Sequence, residues 1–356
     1  MRAPPIRARG LLAAAALVVV IAGLKAAAPW VLPSLLGLLA AIFSLPLLRW
    51  LQARHFPRVP AVLATTIIDL AVVLVLLGVV GGSIAQFVSE APRYEQRFMA
   101  LFTGLFAPLE ARGFHVNDSL VEALQPSSLV PFLEGLLAGV GGIVSQALII
   151  FLIMLFTLLE ADQTAAKLVS LASRGDPKRV HQVRSVLNRL QRYLGFKTGM
   201  GLVDGVLTAC FTVVMGVEFA PLWGLLTFVL YFLPSIGSIL ATIPPVIVAL
   251  LQIGPGRALV LLVGYTVLHT GLNTILEPRL VGRSFGLSPL AAFVSVPFFG
   301  WMWGPVGMLL GVPLLMVMQI VCDDIPELRW VAVLLGARAP QGGPPPPSGR
   351  EATVEP

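Results

Sequence analysis

Six stretches of this chain are apolar over about 18 or more consecutive residues, the length at which a helix reaches across a bilayer core. They run from Leu11 to Ala28, Trp30 to Leu48, Pro60 to Val88, Leu136 to Leu159, Gly199 to Val217 and Ala258 to Ile275. Of the 356 residues 57% are hydrophobic and 12% charged, against about 25% charged in soluble domains. That much apolar surface exceeds what one water-facing core encloses, so lipid is the predicted solvent and membrane lipid the first partner. The expected fold is all-α and polytopic: about six full spans plus two broken or re-entrant hairpins, with a small extramembrane helical domain.

The charged residues sit between the runs. The N-terminus carries Arg2, Arg7 and Arg9, and the break at 49–58 carries Arg49, Arg54 and Arg58. Residues 89–135 hold Arg93, Arg97 and Arg112 against six carboxylates, and read as a small extracytoplasmic helical domain. Residues 160–197 hold eight Lys or Arg against Glu160, Asp162 and Asp176. There the apolar positions Val183, Val186, Leu187, Leu190 and Leu194 recur at helical spacing, which predicts a basic helix on an anionic membrane surface. Placing every basic segment in the cytoplasm and 89–135 outside satisfies the positive-inside rule through four spans, with the N-terminus cytoplasmic. The net charge of +6 is spread over these loops rather than gathered on one soluble face, which excludes nucleic acid as a partner. The predicted regions are 1–88 (three spans), 89–135, 136–197 (fourth span and basic helix), 198–330 (C-terminal transport region) and 331–356 (a low-complexity, disordered tail).

The C-terminal half departs from the simple pattern. Residues 221–251 are apolar but carry Pro234, Gly237, Pro244 and Pro245. As one helix they would be about 46 Å long, against a hydrocarbon core of about 30 Å. Residues 289–321 are over-long in the same way and are broken at Pro297, Gly300, Gly304, Pro305, Gly307 and Pro313. The first break reads PSIGSILATIP and the second GPVGMLLGVP. Paired Gly/Pro-interrupted segments mark the solute site of secondary transporters, where unwound backbone faces a cavity.

Polar side chains inside apolar spans are costly and therefore candidates for function. On the sixth span Thr266, His269, Thr270, Asn273 and Glu277 recur every three or four residues, and so share one helical face. On the fifth, Gly201, Asp204, Gly205, Thr208 and Thr212 form a second stripe, whose small residues also suit close helix packing. The candidate solute- or ion-binding set is Glu277, Asn273, His269, Asp204, Thr208 and, from the first break, Ser235. Asp69 is expected to pair with Arg58, Glu277 with Arg279 or Arg283, and Glu160 to be interfacial. Cys210 and Cys322 have no CxxC partner, so neither a metal site nor a cofactor is predicted. No P-loop, HExxH or GxSxG motif occurs, and an enzyme is not the expectation.

Three runs, YLGFKTGMGLVDGVL, LYFLPSIGSILATIPPVIVALL and LEPRLVGRSFGLSPLAAFVSVPFFGWMWGPVGMLLGVPLL, resemble in order and spacing the autoinducer-2 exporter family of bacterial permease-like proteins. The resemblance covers Tyr193 to about Val321. It implies an integral inner-membrane transporter working as a homo-oligomer, a pentamer, on a small-molecule or ion substrate. Export of autoinducer-2 is the leading expectation. Exchange of sodium or lithium for protons is the alternative, and a non-transporting membrane scaffold is the rival from another class.

Overall fold

The structure is a computed structural model, and it describes residues 6–110, 129–174, 177–234, 236–281 and 286–336. The described residues are almost wholly helical, and seven helical segments among them are long and apolar enough to cross a membrane. Two of those seven are an arm of one broken segment and the whole of the other, which leaves five simple spans, and the first apolar run contributes a shorter apolar helix, Ala15–Ala26.

Helices α1 (Ile6–Ala26) and α2 (Ala28–Ala53) are followed by three long ones, α3 (Arg58–Glu110), α4 (Leu129–Arg174) and α5 (Pro177–Met215). Helices α2 and α4 meet closely at Gly37, where a Cβ would stand 2.7 Å from the Ile150 carbonyl oxygen. Around that contact Ala41, Leu48, Ala61, Met154 and Leu158 form a buried cluster. The opposite faces, with Ile67, Leu74 and Val75 of α3 and Leu148 of α4 all exposed, present the apolar surface that lipid would cover.

Helix α5 ends in a Schellman motif. Gly216 is left-handed (φ +72°), its N–H reaches the Val213 carbonyl, and the Val217 N–H reaches the Thr212 carbonyl. The chain then enters the first broken segment. Helix α6 (Ala220–Leu230) is too short to cross; it turns at Tyr231–Pro234 and returns as α7 (Ile236–Ile253). The Glu218 N–H donates to Gln252 Oε1 at 3.0 Å, which brings the two ends of the segment together. Gly237 lies so close beneath the Leu230 carbonyl that no side chain fits there.

After α8 (Pro255–Thr270), a π-helical turn (Gly271–Leu276) and α9 (Glu277–Val281) comes the second broken segment, α10 (Pro289–Asp324). It doubles back at Trp303 and Gly304, whose φ of +69° and ψ of −155° lie in a region open essentially to glycine alone. Gly307 then packs under the Phe299 carbonyl, and a Cβ on Gly311 would stand 3.2 Å from the Ser295 carbonyl oxygen, the pairing of an antiparallel helical hairpin. Pro305 follows the break at a first-turn position, where its missing N–H costs nothing. Helix α11 (Arg329–Leu335) leads the chain back so that the Ser288 N–H donates to the Leu335 carbonyl at 2.8 Å.

The hairpins open toward opposite ends of α5. The first packs its base against Val217, Tyr94 and Phe87, while Ala292 and Val317 near the base of the second pack with Leu187, Leu190 and Leu194. Tyr94 of α3 donates to the Glu218 carboxylate, and Arg58, at the start of α3, pairs with Asp162 at 3.3 Å.

Several boundaries differ from the sequence reading. The third span ends at Glu90, close to the expected 88, while its helix α3 runs on beyond the apolar stretch to Glu110. Of the 89–135 segment, 111–128 lie outside the described residues. The basic stretch at 178–197 is continuous with the rest of α5, and of its apolar stripe Leu187, Leu190 and Leu194 pack in a cluster with Ile42, Val312 and Met316. The tail is helical as far as Leu335, and 337–356 lie outside the described residues. Asp69 does not pair with Arg58: it accepts from Ser44 Oγ at 2.6 Å, one helix away.

Candidate functional site

Four side chains on the α8–α9 rod, Tyr265, His269, Asn273 and Glu277, stand four residues apart and each meets a polar partner from another element. Four-residue steps drift about 40° per step around an α-helix. The π turn at Gly271–Leu276 winds more slowly and takes back part of that drift, so Glu277 stays on the His269 face.

Tyr265 shares a hydrogen bond with Thr212 of α5. His269 Nδ1 lies 3.0 and 3.1 Å from the two carboxylate oxygens of Asp204, with both side chains no more than 5% exposed. Asn273 Nδ2 donates to Ser238 Oγ of α7 at 2.7 Å. Glu277 receives two donors, Lys197 Nζ at 2.7 Å on one oxygen and the Tyr231 hydroxyl at 2.8 Å on the other. The Lys197 ammonium also sits 4.7 Å from the centre of the Tyr231 ring, a cation–π contact.

Glycine and threonine build this seam. A Cβ on Gly205 would lie 2.6 Å from the Gly224 carbonyl oxygen, and one on Gly201 would lie 3.2 Å from Tyr231 Cβ. Their absence lets α6 close on α5 and brings Tyr231, at the tip of the first hairpin, over Lys197. Two carboxylates and a lysine are tolerated among apolar helices because each has an opposite charge or a donor in contact.

A cavity of about 400 Å³ opens on this arrangement. Lys197, Tyr231, Leu233, Pro234, Ser238, Ile239, His269, Thr270, Asn273, Thr274 and Glu277 line it. Its wall thus combines one lysine, one carboxylate, an imidazole, hydroxyls and an amide with the apolar tip of the hairpin. Among the described residues no group of three or more His, Cys, Asp or Glu is placed to hold a metal ion.

Of the candidates from sequence, Glu277, Asn273 and His269 line the cavity, Asp204 stands directly behind His269, and Thr208 is buried on the Asp204 face of α5. Thr266 is not part of the site: it is exposed and bonds back to the Leu262 carbonyl. Ser235 lies outside the described residues. Glu277 does not pair with Arg279; its cation is Lys197, eighty residues earlier. Pro234 lines the cavity directly, while Gly304, Pro305, Gly307 and Pro313 belong to the other hairpin and shape its fold. Lys197, Tyr231 and Ser238 are absent from the sequence-derived set. Lys197 could have been found from its spacing, since it stands two turns before Asp204 on the same face of α5.

The family of AI-2E transporters matches this chain over residues 14–327. The AI-2 transport protein TqsA of Escherichia coli (strain K12) is 34% identical over 321 residues, covering 90% of this chain and 93% of the relative. A putative transport protein of Haemophilus influenzae is 33% identical, covering 92% of this chain and 96% of its own length. The putative transport protein YhhT of Escherichia coli (strain K12) is 30% identical, covering 93% and 95%.

Proposed function

The chain belongs to the AI-2E family of transporters and is a multi-pass membrane protein; from that premise we propose that it is a secondary exporter of a small hydroxylated solute of the autoinducer-2 kind. The cavity of about 400 Å³ between Lys197, Tyr231, Ser238, His269, Asn273 and Glu277 is the observation that carries the reading. Its volume suits a single furanose-sized molecule, and its lining offers donors and acceptors at several points, the pattern of a site for an uncharged polyol. The two hairpins, opening to opposite ends of α5, supply the irregular backbone that transporters place beside a solute.

A monovalent cation/proton exchanger is the second reading, and buried Asp204 is the observation in its favour. Both carboxylates of the site already face a cation or an imidazole nitrogen, at 2.7 Å for Glu277 and 3.0 Å for Asp204. A dehydrated sodium ion would have to displace one of these partners, so the polyol reading is preferred. Glu277 and Asn273 contact the solute in this scheme, His269 forms its far wall, and Asp204 stands behind His269. The protein works as a homo-oligomer in the bacterial inner membrane with its N-terminus cytoplasmic, a reading supported by the charge asymmetry of the loops for the orientation.

Purified protein in proteoliposomes tests the proposal. Efflux of preloaded autoinducer-2 is expected, reduced at least about tenfold by Asn273→Ala. Absence of autoinducer-2 flux together with a sodium- or lithium-dependent proton flux would reverse the order of the two readings.

A further inference from the structure

The Asp204–His269 pair leaves one atom without a partner. His269 Nδ1 faces the Asp204 carboxylate at hydrogen-bond distance, which favours the proton on that nitrogen, while Nε2, across the ring, is buried and has no hydrogen-bond partner among the described residues. The residue is 4% exposed, and its ring borders the cavity. A neutral imidazole whose Nδ1 carries the proton presents Nε2 as an acceptor. Buried acceptors are ordinarily paired, so one left without a partner on a ring that borders a polar cavity asks for a donor.

Three donors of the cavity wall are directed at other acceptors. Lys197 Nζ and the Tyr231 hydroxyl donate to Glu277, and Asn273 Nδ2 donates to Ser238 Oγ. Glu277 is balanced by the Lys197 ammonium, and the Asp204 carboxylate lies on the Nδ1 side of the ring, away from Nε2. A neutral O–H is therefore the donor that fits. Resting on the exporter reading above, we propose that His269 Nε2 is the acceptor that selects a hydroxyl-bearing solute, and that Asp204 is the positioning residue that holds the ring in its accepting tautomer.

Tautomer control makes the roles separable. Leucine at 269 removes the acceptor at similar bulk. Glutamine keeps an acceptor oxygen at nearly the same reach. Asparagine at 204 can donate its own N–H to Nδ1, which moves the ring proton to Nε2 and turns the acceptor into a donor.

The experiment compares autoinducer-2 with a ring analogue of the same size in which one hydroxyl is replaced by hydrogen, in proteoliposomes of the full chain. Wild type is expected to favour the hydroxylated probe, because a site built around a hydrogen bond rejects the ligand that cannot make it. His269→Leu should lower that preference about tenfold, chiefly through KM, while His269→Gln keeps the larger part of it. Asp204→Asn should lose the preference as well. A transport-independent readout comes from ¹⁵N spectra of His269 in wild type and Asp204→Asn, which should show the protonated nitrogen change from Nδ1 to Nε2. If His269→Leu does not fold, the glutamine and asparagine variants decide.

Wild-type preference retained in His269→Gln, His269→Leu and Asp204→Asn would overturn the inference and leave Nε2 with a resident water that has no part in selection. A ¹⁵N pattern unchanged by Asp204→Asn would overturn the positioning role. Failure of wild type to move either probe would sink the exporter reading and this inference together, whereas transport with unaltered preference in the variants sinks this inference alone.

Discussion

Removal of the Lys197 ammonium is the perturbation whose cost is best defined. Lys197 is 10% exposed and Glu277 21%, so water screens the pair only weakly. Lys197→Met keeps the aliphatic length of the side chain and deletes the charge. It leaves the Glu277 carboxylate with the Tyr231 hydroxyl as its hydrogen-bond donor. Breaking a buried pair by removing one partner costs about 3–5 kcal/mol, and the retained hydroxyl places the expected loss at the lower end, about 3 kcal/mol. The double variant Lys197→Met/Glu277→Gln removes both charges, and a neutral amide can still accept from Tyr231. It is expected to lie within about 1 kcal/mol of wild type. Reversible unfolding of wild type, Lys197→Met, Glu277→Gln and the double variant in mixed micelles, followed by circular dichroism, gives the four free energies of the cycle. A Lys197→Met variant as stable as wild type, or a double variant less stable than both singles, would refute the reasoning, since either result means that the carboxylate is not held by that ammonium. Transport separates stability from function: the double variant should fold and yet lose solute flux, because Glu277 lines the cavity.

Gly304→Ala places a Cβ on a residue at φ +69° and ψ −155°, and should cost about 1–3 kcal/mol and open the second hairpin, seen as new protease sensitivity near Trp303. Gly205→Leu forces α5 away from Gly224 of α6 and should displace Tyr231 from Lys197, measured as loss of solute flux with lowered stability. Tyr94→Phe removes a hydrogen bond to a carboxylate at the base of the first hairpin and should cost about 1.5–3 kcal/mol. Burial, and then the Glu218 carboxylate, push the Tyr94 phenol above its usual range. The stability it contributes should therefore be fully present below about pH 10, the unfolded value, and should fall as pH rises toward its folded value; Tyr94→Phe should lose that alkaline decline. Cysteines placed at Arg54 and Arg184 should resist an impermeant label added from the periplasmic side while one at Asn117 reacts; the reverse pattern would invert the topology.

The fold and the site were legible in the sequence to different depths, for physical reasons. Apolar runs and the proline and glycine breaks act locally, so the spans and the two interrupted segments could be placed from residues alone. The polar stripe on the sixth span could be read too, because its period belongs to one helix. Partners could not. Asp69 was assigned to Arg58 because both lie near one end of a span, yet its hydrogen bond comes from Ser44 across a helix–helix contact. Glu277 was assigned to the nearby arginines because proximity in sequence is all that a single chain displays. Its actual cation arrives on α5, which approaches only because Gly205 and Gly224 let α6 close and bring Tyr231 alongside. The same logic applies to the basic stretch before Lys197, which read as a surface helix. Its apolar stripe has the spacing that either lipid or protein would satisfy, and of it Leu187, Leu190 and Leu194 pack in a cluster with Ile42, Val312 and Met316. That packing fixes the first half of α5 against α2 and the second hairpin. Lys197 is thereby set at the point where one hairpin ends its excursion, and what reads in sequence as an ordinary interfacial lysine becomes the cation of a buried site.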